Sequence, residues 1–458
     1  MVESNKAKST FMEVREAPGE LPELWDREAV FVANLLSLFF GNELETETLR
    51  EEVGALETYG GRLVPIVNMV FAGGRNLLTL EREPDARLWR YFQEDLGLNL
   101  PEIEILPHAD YAARREGATS AVLENVLKTI KSHPSIWMDG FVTDELLAHT
   151  AELTDKKLIS SVEGSKCGNN KLLLHRHLAE AGLPSFDTVV AESPSDVPRC
   201  LQILNDWGYR YAVVKAQIGA SGVGMRKLDV SAPSGIPDYL FFEGPCLVEG
   251  WLDDSLEGIE VLGSPSVQMF VHDNRLHLYD ITAQFLNAES VHEGNQAPPP
   301  FLQGAPQVTR ELLQQAEVGG RWLHGIGYRG TASADFHMVR RDGKIEIRLC
   351  EINARVTGAT YPAILARRFV PRGAWIMRNV MFTTPRKSDA ILNELESLGI
   401  LYRPGNESGV LPVNFNANDE GVVAKAQLLA LGRNRDDVES AFHLIRRHPA
   451  MTWNYDRD

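Results

Sequence analysis

Two carboxylates, a carboxamide and a guanidinium group stand close together in one short stretch of the sequence, residues 333–360. The carboxylates are Asp335 and Glu351, and Asn353 and Arg355 follow directly. Hard oxygen ligands of this kind suit Mg²⁺, which takes one or two carboxylates and completes its coordination with water and phosphate oxygens. An arginine beside them can hold a phosphate or carboxylate through two parallel hydrogen bonds. The stretch therefore predicts a metal and phosphate site.

A β-hairpin is the element that must position these groups. Asp342-Gly343 is a strong signal for a tight hairpin turn. Apolar residues occupy alternate positions in the two segments that flank it, SADFHMV and KIEIRLC, which is typical of half-buried strands. Such a hairpin places Asp335 and Glu351 at the same open end. An acidic pair that merely solvates a loop is the alternative interpretation.

A second group of residues with phosphate-binding character lies upstream, in YAVVKAQIGASGVGM. A β-branched strand delivers Lys215 to a loop that contains Gly219, Gly222 and Gly224, with Ser221 as a hydroxyl donor. Glycines allow backbone N–H groups to approach phosphate oxygens closely. The loop lacks the G-K-[ST] of a Walker loop, and a strand follows where a dinucleotide fingerprint needs a helix. The pattern predicts a phosphate-binding lid, with a hairpin turn that binds no ligand as the alternative.

These motifs together resemble the ATP-grasp enzymes. That family carries an E-x-N-x-R run at the end of such a hairpin, here Glu351, Asn353 and Arg355. It also has a lysine at the start of an earlier helix, matched by Lys171, ten residues before an A-G-L-P turn. The resemblance covers residues 165–370, and its elements occur in the family's order. The domain order is similar to that of the peptide ligases of pheganomycin-type biosynthesis.

The resemblance implies a role for each motif. ATP is the expected cofactor, with its phosphates near Lys171, Lys215 and the glycine loop. Mg²⁺ is expected on Asp335, Glu351 and Asn353. The adenine amino group is expected on Glu249, and the rest of the adenine edge on the backbone of Gly250, Trp251 and Leu252. The ribose hydroxyls are assigned to Glu257, and the competing acidic residues are Asp253, Asp254 and Glu260.

One position departs from the family pattern. D-alanine ligases place an arginine two residues before the first metal carboxylate, and this sequence has Ser333 there. The work of that arginine on the transferring phosphoryl group then passes to Arg355 or to another residue such as Arg329. We assign Arg355 and Lys215 as the catalytic residues.

The activity that the resemblance implies is ATP-dependent ligation of a carboxylate to an amine through an acylphosphate, with ADP and phosphate as products. An amino acid would supply the carboxylate, and a peptide or amino acid would supply the amine. Two alternatives stay open: a kinase on the same fold with a hydroxyl acceptor, and a module that senses ATP without turnover. The loop around His292, Glu293 and Asn295 is a candidate for substrate contact.

The domain organisation follows from the same patterns. The fold class is α/β, with a Rossmann-like α/β domain before a two-lobed ATP-grasp fold and a small α/β domain after it. Strands of the first domain are predicted at four apolar runs, AVFVANL, RLVPIVNMVF, IEILPH and SIWMDGF. Four units are predicted. They are a flexible extension (1–26), the N-terminal domain (27–164), the ATP-grasp domain (165–379, with its lid lobe at about 184–250) and a C-terminal domain (380–458).

Composition excludes several classes of protein. The 458 residues are 44% hydrophobic and 24% charged, which is ordinary for a globular protein, and the formal charge of -17 argues against a nucleic-acid partner. The longest apolar run, residues 29–40, is too short and too interrupted to span a membrane. Four cysteines without C-x-x-C spacing fit a reducing cytoplasm. The oligomeric state stays open, with a homodimer as one candidate.

Overall fold

A computed structural model describes residues 12–22, 25–52, 56–220, 222–232, 235–286 and 292–446 of the chain. The strands of these residues form three sheets, of five, four and ten strands. No helix in the described ranges is both long enough and apolar enough to cross a membrane. The three sheets surround a cleft, and the elements below are those that build its walls.

The first domain contains a parallel sheet in the order β4-β3-β2-β5-β6. Its strands are β2 (Ala29–Val32), β3 (Leu77–Leu80), β4 (Glu102–Ile105), β5 (Trp137–Gly140) and β6 (Lys157–Leu158). The helices that precede, connect or follow them are α1 (Glu43–Glu52), α2 (Val67–Val70), α3 (Ala86–Arg90), α4 (His108–Ala112), α5 (Ala121–Ser132), α6 (Glu145–Leu153) and α7 (Val162–Gly168). A parallel sheet fits the alternation of apolar and helical stretches in this part of the sequence.

One predicted strand of this domain is wrong. The run RLVPIVNMVF, residues 62–71, begins at the end of a 3₁₀ helix, Leu56–Leu63, and includes α2. The sheet strand comes later, at β3. Most of the apolar side chains of the run are buried in the largest core, so the run is apolar on every face. An apolar run buried on all sides carries no period that separates helix from strand.

The lid lobe is an antiparallel sheet in the order β7-β10-β8-β9, with α8 (Lys171–Glu180) at its entrance and α9 (Val197–Asp206) on one face. Its strands are β7 (Thr188–Ala191), β8 (Tyr211–Ala220), β9 (Val223–Asp229) and β10 (Cys246–Gly250). Strands β8 and β9 form a hairpin whose last pair is Ala220 with Val223. The predicted glycine loop is therefore the tight tip of this hairpin.

The ten-stranded sheet runs in the order β11-β15-β12-β13-β14-β17-β19-β18, with β16 beside β15 and β1 beside β13. Its strands are β1 (Glu13–Glu16), β11 (Ile259–Gly263), β12 (Pro265–Val271), β13 (Arg275–Leu286), β14 (His292–Ala297), β15 (Gly330–Arg341), β16 (Lys344–Asn353), β17 (Ala374–Lys387), β18 (Ser408–Ala417) and β19 (Val422–Gly432). The helices around it are α10 (Pro306–Gly325), α11 (Thr360–Phe369), α12 (Ser388–Ser397) and α13 (Arg435–Arg446).

The predicted hairpin of the site is confirmed. Strands β15 and β16 pair antiparallel, and the turn between them is Asp342-Gly343, with φ of 49° and 81°. Positive φ at both central residues is what the favoured two-residue hairpin turn requires. The register places Asp335 directly opposite Glu351, and a bulge follows between Asp335 and Phe336. The two carboxylates therefore lie side by side on neighbouring strands.

Two predicted boundaries at the chain ends need correction. Within the described part of the predicted 1–26 extension, β1 pairs in parallel with the first residues of β13, because β14 pairs only with the last part of β13 and leaves the beginning open. The boundary at 379/380 falls inside β17, whose partners β14 and β19 belong to one sheet. The described residues after that boundary thus continue the ten-stranded sheet.

Candidate active site

The three sheets meet around a cleft of about 760 Å³. A volume of this size is typical of sites that bind small molecules and cofactors. The first domain contributes side chains from its 3₁₀ helices, the lid lobe contributes β8, β10 and the glycine tip, and the large sheet contributes β12, β14, β15, β16 and β19. Twelve of the sequence-predicted site residues line it, namely Lys171, Lys215, Gly219, Gly222, Glu249, Gly250, Trp251, Leu252, Asp335, Glu351, Asn353 and Arg355.

Asp335, Glu351 and Asn353 form a carboxylate cluster at one wall of the cleft. The amide nitrogen of Asn353 donates to Asp335 Oδ2 at 2.9 Å and lies 3.5 Å from Glu351 Oε1. Asp335 Oδ1 accepts from the Ser266 hydroxyl at 2.6 Å and from the Ser333 hydroxyl at 3.1 Å. The position where an arginine is absent thus holds a serine that supports the first carboxylate.

The two carboxylates of the cluster differ in proton affinity. Burial and the neighbouring Glu351 raise the pKa of Asp335 to about 6. Burial also acts to raise the pKa of Glu351, but the attraction of Lys171 and Arg355 outweighs it and leaves that pKa below its usual value. Two like charges side by side oppose joint ionisation, and a cation between them removes that opposition.

The donor set of the cluster fits Mg²⁺. Asp335 and Glu351 supply two carboxylates on paired positions, and Asn353 supplies an amide oxygen, all of them hard ligands. The described residues contain no group of three or more His, Cys, Asp or Glu side chains arranged to hold a metal by themselves. The cluster therefore suits an ion that takes its remaining ligands from water and phosphate.

Lys171 stands at the first position of α8, as predicted. Asn170 caps this helix by accepting from the Leu173 N–H at 2.9 Å, and its amide nitrogen donates to Gln217 of β8 at 2.7 Å. The Lys171 side chain is buried, and its Nζ lies 3.0 Å from Glu351 Oε2. The helix start, the lid strand and the carboxylate cluster are thus connected through Lys171 and its cap.

Lys215 and Glu249 form a buried ion pair across β8 and β10. Burial acts to lower the pKa of Lys215, but Glu249 outweighs it and the pKa lies above its usual value, so the lysine is charged. The carboxylate of Glu249 is therefore engaged by Lys215, whereas the sequence predicted that it accepts from adenine. The register explains the pair, because Lys215 lies opposite Leu247, two residues before Glu249 on the same face.

The guanidinium of Arg355 donates to Asn169 Oδ1 at the end of α7 and faces the cleft. Burial lowers the pKa of Arg355, and the attraction of Glu351 and Asp335 opposes that shift. Arg329, the other candidate for the missing arginine, is turned away. It donates to the backbone carbonyls of His324 and Tyr328 at 2.9 and 2.6 Å and does not line the cleft.

The glycine tip of the β8–β9 hairpin lies over the cleft with Gly219 and Gly222 in its lining. Gly224 has a φ of 85°, and a Cβ there would stand 2.9 Å from Glu45 Oε1 of α1. A side chain at this position meets both an unfavourable backbone conformation and a neighbouring domain. Gly224 itself is not part of the lining, and the predicted donor Ser221 lies outside the described residues.

The connector after β10 forms the remaining wall of the lid side. A Cβ at Gly250 would stand 2.4 Å from the ring of Tyr209, so only glycine fits there. The N–H groups of Gly250 and Trp251 donate to Asp187 and Tyr211 backbone oxygens, each within 3.0 Å. The Leu252 carbonyl accepts from His337 Nε2 at 2.9 Å.

The predicted ribose ligand, Glu257, does not line the cleft, and Asp253 does. Asp253 accepts from Lys227 Nζ at 3.1 Å, and this lysine lies over the Trp251 ring. The connector turns directly after Leu252, so the first acidic residue faces inward and the later ones follow the chain away. Sequence spacing alone did not distinguish Asp253 from Glu257.

Several residues of the cleft were missed by the sequence. Ser266 of β12 lines the cleft and supports Asp335, and the buried Gln268 donates from Nε2 to the Ser266 hydroxyl at 2.8 Å. His292 and Asn295, which were candidates, line the cleft, and Glu293 does not. A further group has polar and aromatic side chains from three distant parts of the chain, Tyr59, Arg62, Tyr361, Lys425 and Gln427. We call this group the Arg62 pocket.

No protein-family model matches the chain. Over 158 residues the chain is 28% identical to the [butirosin acyl-carrier protein]–L-glutamate ligase of Niallia circulans. The aligned stretch is 34% of this chain and 35% of the relative, so the match spans about a third of that protein.

Solved structures match over almost the whole chain. The N5-carboxyaminoimidazole synthetase of Staphylococcus aureus in complex with ADP is 13% identical, with a TM-score of 0.54, over 93% of this chain and 98% of that one. The biotin carboxylase of Campylobacter jejuni in a β,γ-ATP complex is 12% identical, with a TM-score of 0.55, over 92% and 90%. At these identities the likeness establishes the fold. The chain therefore has the ATP-grasp fold.

Proposed function

We propose that this protein is an ATP-dependent ligase that joins a carboxylate to an amine through an acylphosphate and releases ADP and phosphate. The observation that carries the proposal is the convergence of Lys171 and Lys215 with the carboxylate cluster in one cleft beneath a glycine hairpin. The partial match to a glutamate ligase and the nucleotide complexes of the same fold support it.

The nucleotide lies on the lid side of the cleft. Lys215 and Lys171 neutralise the phosphates, and the backbone of the glycine hairpin covers them. The adenine edge meets the connector from Gly250 to Leu252, and Asp253 takes the ribose hydroxyls in place of the predicted Glu257. Both lysines are held by carboxylates, so their ammonium groups are already positioned when the phosphates arrive.

The carboxylate cluster would hold Mg²⁺ through Asp335, Glu351 and the amide oxygen of Asn353. Bound there, the ion would supply positive charge that offsets the negative charge on the transferring phosphoryl group. The side chains of Ser266 and Ser333 keep Asp335 in place. A cation held there would lower the raised pKa of Asp335, so that this carboxylate would bind it in the ionised form.

The chemistry takes place next to Arg355. An oxygen of the acid's carboxylate attacks the γ-phosphorus, the bond to the β-phosphate oxygen breaks, and ADP leaves. The amine then attacks the carbonyl carbon of the acylphosphate, loses a proton, and phosphate departs as the amide forms. Arg355, held by Asn169, is positioned to stabilise the tetrahedral oxyanion of this second step. The hairpin tip excludes water, which would hydrolyse the mixed anhydride.

Amino acids are the acids we propose, with the amine of an amino acid or a peptide as acceptor. The name of the Niallia relative pairs an acid of that kind, L-glutamate, with a carrier protein. The acceptor class that we propose rests on the resemblance of the domain order to that of peptide ligases. A kinase on the same fold would phosphorylate a hydroxyl group instead.

Trapping with hydroxylamine tests the reaction class. The protein is incubated with ATP, Mg²⁺, hydroxylamine and a panel of amino acids, and hydroxamate and nucleotide products are measured together. A ligase yields hydroxamate and ADP in equal amounts with the correct acid. AMP with pyrophosphate would indicate adenylation, a phosphorylated product stable to hydroxylamine would indicate a kinase, and either result would contradict the proposal. Arg355→Ala lowers hydroxamate per ADP if Arg355 acts on acyl transfer.

A further inference from the structure

Among the described residues, no carboxylate forms an ion pair with the two cationic groups of the Arg62 pocket. Arg62 is buried at 7% exposure, and its Nη1 donates to the Tyr361 hydroxyl at 3.2 Å. Its Nε and Nη2 have no hydrogen-bond partner among the described residues. A buried guanidinium with two unused donors has lost hydration without replacing it, which costs free energy unless a ligand completes the site.

A second cation faces the same space. Lys425 of β19 donates from Nζ to the Tyr59 hydroxyl at 3.3 Å, and the Arg62 guanidinium lies 3.8 Å from the centre of the Tyr59 ring. Burial acts to raise the pKa of the Tyr59 phenol, but Arg62 and Lys425 outweigh it and leave that pKa below its usual value. The pocket therefore has a positive potential.

The acidic residues of the cleft do not neutralise this potential. The carboxylates in its described lining are Glu249, Asp253, Asp335 and Glu351. Glu249, Asp253 and Glu351 are each paired with a lysine outside the Arg62 pocket, and Asp335 is held by hydroxyl and amide donors. Burial, together with Arg62 and Lys425, lowers the pKa of the nearby His292 to about 4, so this imidazole adds no charge at neutral pH.

The pocket is fixed from behind and is continuous with the carboxylate cluster. Gln427 donates to the Tyr361 hydroxyl and to Asn379 Oδ1, each at 2.7 Å. Tyr361 lies in the first turn of α11, directly after the loop that follows Arg355. Thr357 in that loop donates to Gln268, which in turn donates to the Ser266 hydroxyl that supports Asp335. Arg62 and Lys425 line the same cleft as Asp335 and Glu351, so a small acid can reach from the reacting centre into the pocket.

From this arrangement we infer that the Arg62 pocket binds a second, unreactive carboxylate of the acid that is activated. The inference rests on the proposed ligase function and narrows its substrate: the acid is a dicarboxylic amino acid, one carboxylate facing ATP and the other facing Arg62 and Lys425. Arg62 offers two parallel donors, the geometry in which guanidinium groups recognise carboxylates. Tyr59 and Tyr361 form aromatic sides of the pocket.

The test compares dicarboxylic amino acids with their monoamides. L-aspartate, L-glutamate and L-2-aminoadipate, with the two monoamides of each, are assayed for hydroxamate formation with ATP and Mg²⁺, and their binding is measured separately by calorimetry. One diacid is expected to give a KM and a dissociation constant at least about tenfold lower than the monoamide that keeps its reacting carboxylate, and the other monoamide should give no hydroxamate. Arg62→Gln should remove this preference by weakening the diacid alone, and Arg62→Lys should restore part of it.

Controls separate the pocket from the fold and from the reaction. Lys425→Gln provides a second variant in case Arg62→Gln unfolds, and Arg90→Gln on the exposed surface of α3 should change nothing. Diacids and monoamides that bind and react equally well would overturn the inference while leaving the ligase intact. Unchanged diacid preference in both pocket variants would overturn it as well. Tight diacid binding without any ADP release would contradict the proposed function but would still support a carboxylate-binding role for the pocket.

Discussion

At the scale of single residues, two lysines of the cleft form ion pairs with carboxylates of the cleft. Lys171 faces Glu351 and Lys215 faces Glu249, so each lysine has a carboxylate partner before nucleotide arrives. Phosphate oxygens must share these ammonium groups with protein carboxylates. Glu351 would be shared between Lys171 and a cation held by the carboxylate cluster, which would leave Lys171 more available to phosphate. Binding of ATP with Mg²⁺ is therefore expected to be cooperative at this site.

Lys215→Met and Glu351→Gln are each expected to reduce ADP release by about a hundredfold or more. Each loses a charged contact to the transferring phosphoryl group or its metal, worth on the order of 3 kcal/mol. Lys215→Met also leaves the Glu249 carboxylate buried without a cation, which lowers stability as well as turnover.

Steady-state ADP release at saturating ATP, Mg²⁺ and acid measures the effect, and melting temperatures separate turnover from stability. Lys128→Met and Glu124→Gln make the same chemical changes on the exposed face of α5 and serve as matched controls. Near-normal turnover of either active-site variant would remove that residue from the proposed site.

Among the elements, the β8–β9 hairpin joins two domains at its tip. Ala220 and Val223 belong to the same core as residues of the first domain, and Gly224 lies against α1. The tip was predicted as a phosphate-binding lid, and its packing shows which contacts would have to separate for the lid to open. Hinge movement of the lobe would separate apolar contacts there and expose the cleft.

Gly224→Ala is expected to lower kcat/KM for ATP by about tenfold. Alanine at a φ of 85° costs about 1 kcal/mol or more, and its Cβ would meet Glu45 of α1 and displace the tip. Gly208→Ala is the matched control, because Gly208 also has a positive φ, 91°, but no atom within 4 Å of its Cβ position. Equal kcat/KM values for the two variants would show that the contact with α1 has no part in nucleotide use.

An element could be predicted from the sequence when the residues that specify it lie close together in the chain. The β15–β16 hairpin was predictable because Asp342-Gly343 and the alternation of apolar residues lie within a few positions of each other. Residues 62–71 were assigned to a strand because burial on every side removed the period.

The site divides in the same way. The motif residues from Lys171 to Arg355 can be recognised by the residues next to them in the sequence, and the structure brings them together in the cleft. Asp253 lines the cleft and Glu257 does not because of the way the connector turns, and no local sequence pattern predicts that turn. Arg62 and Lys425 have unremarkable surroundings in sequence, and only tertiary structure places them in one pocket.

At the scale of the whole molecule, the first domain and the lid lobe share two buried acids. Burial and the neighbouring Glu243 raise the pKa of Glu45 to about 8, and burial raises the pKa of Glu243 to about 7. Their carboxylate oxygens have no hydrogen-bond partner in the described residues. The attraction of Lys171 opposes both shifts without cancelling them. Both acids therefore hold protons near neutral pH in the folded chain.

The free energy of unfolding should fall as pH rises from about 5 to 8. Above the unfolded pKa of 4.5 the unfolded chain has released protons that the folded chain still binds, so raising pH favours unfolding until the folded pKa is passed. Glu45→Gln removes one of the two groups that bind a proton in the folded chain and release it in the unfolded chain. Between pH 5 and 8 the free energy of unfolding of this variant should therefore fall less than that of the parent chain, by on the order of 1 to 2 kcal/mol.

Thermal and denaturant unfolding at pH 5.5, 6.5, 7.5 and about 8.5 would measure this slope. Glu51→Gln, at an exposed position of the same helix, is the control and should keep the parent slope. A slope in Glu45→Gln equal to that of the parent chain would show that Glu45 is already ionised in the folded protein.

The hydrogen bond between Lys425 and Tyr59 has a consequence for biosynthesis. It joins positions 366 residues apart, so the ribosome makes one side of the Arg62 pocket well before the other. At roughly 5 to 20 residues per second the ribosome needs roughly 20 to 70 s to cover that interval. During this time a nascent chain displays every nucleotide motif from Lys171 to Arg355 but has no completed pocket for the acid. Recognition of the acid thus begins only after β19 has been synthesised and has joined the sheet.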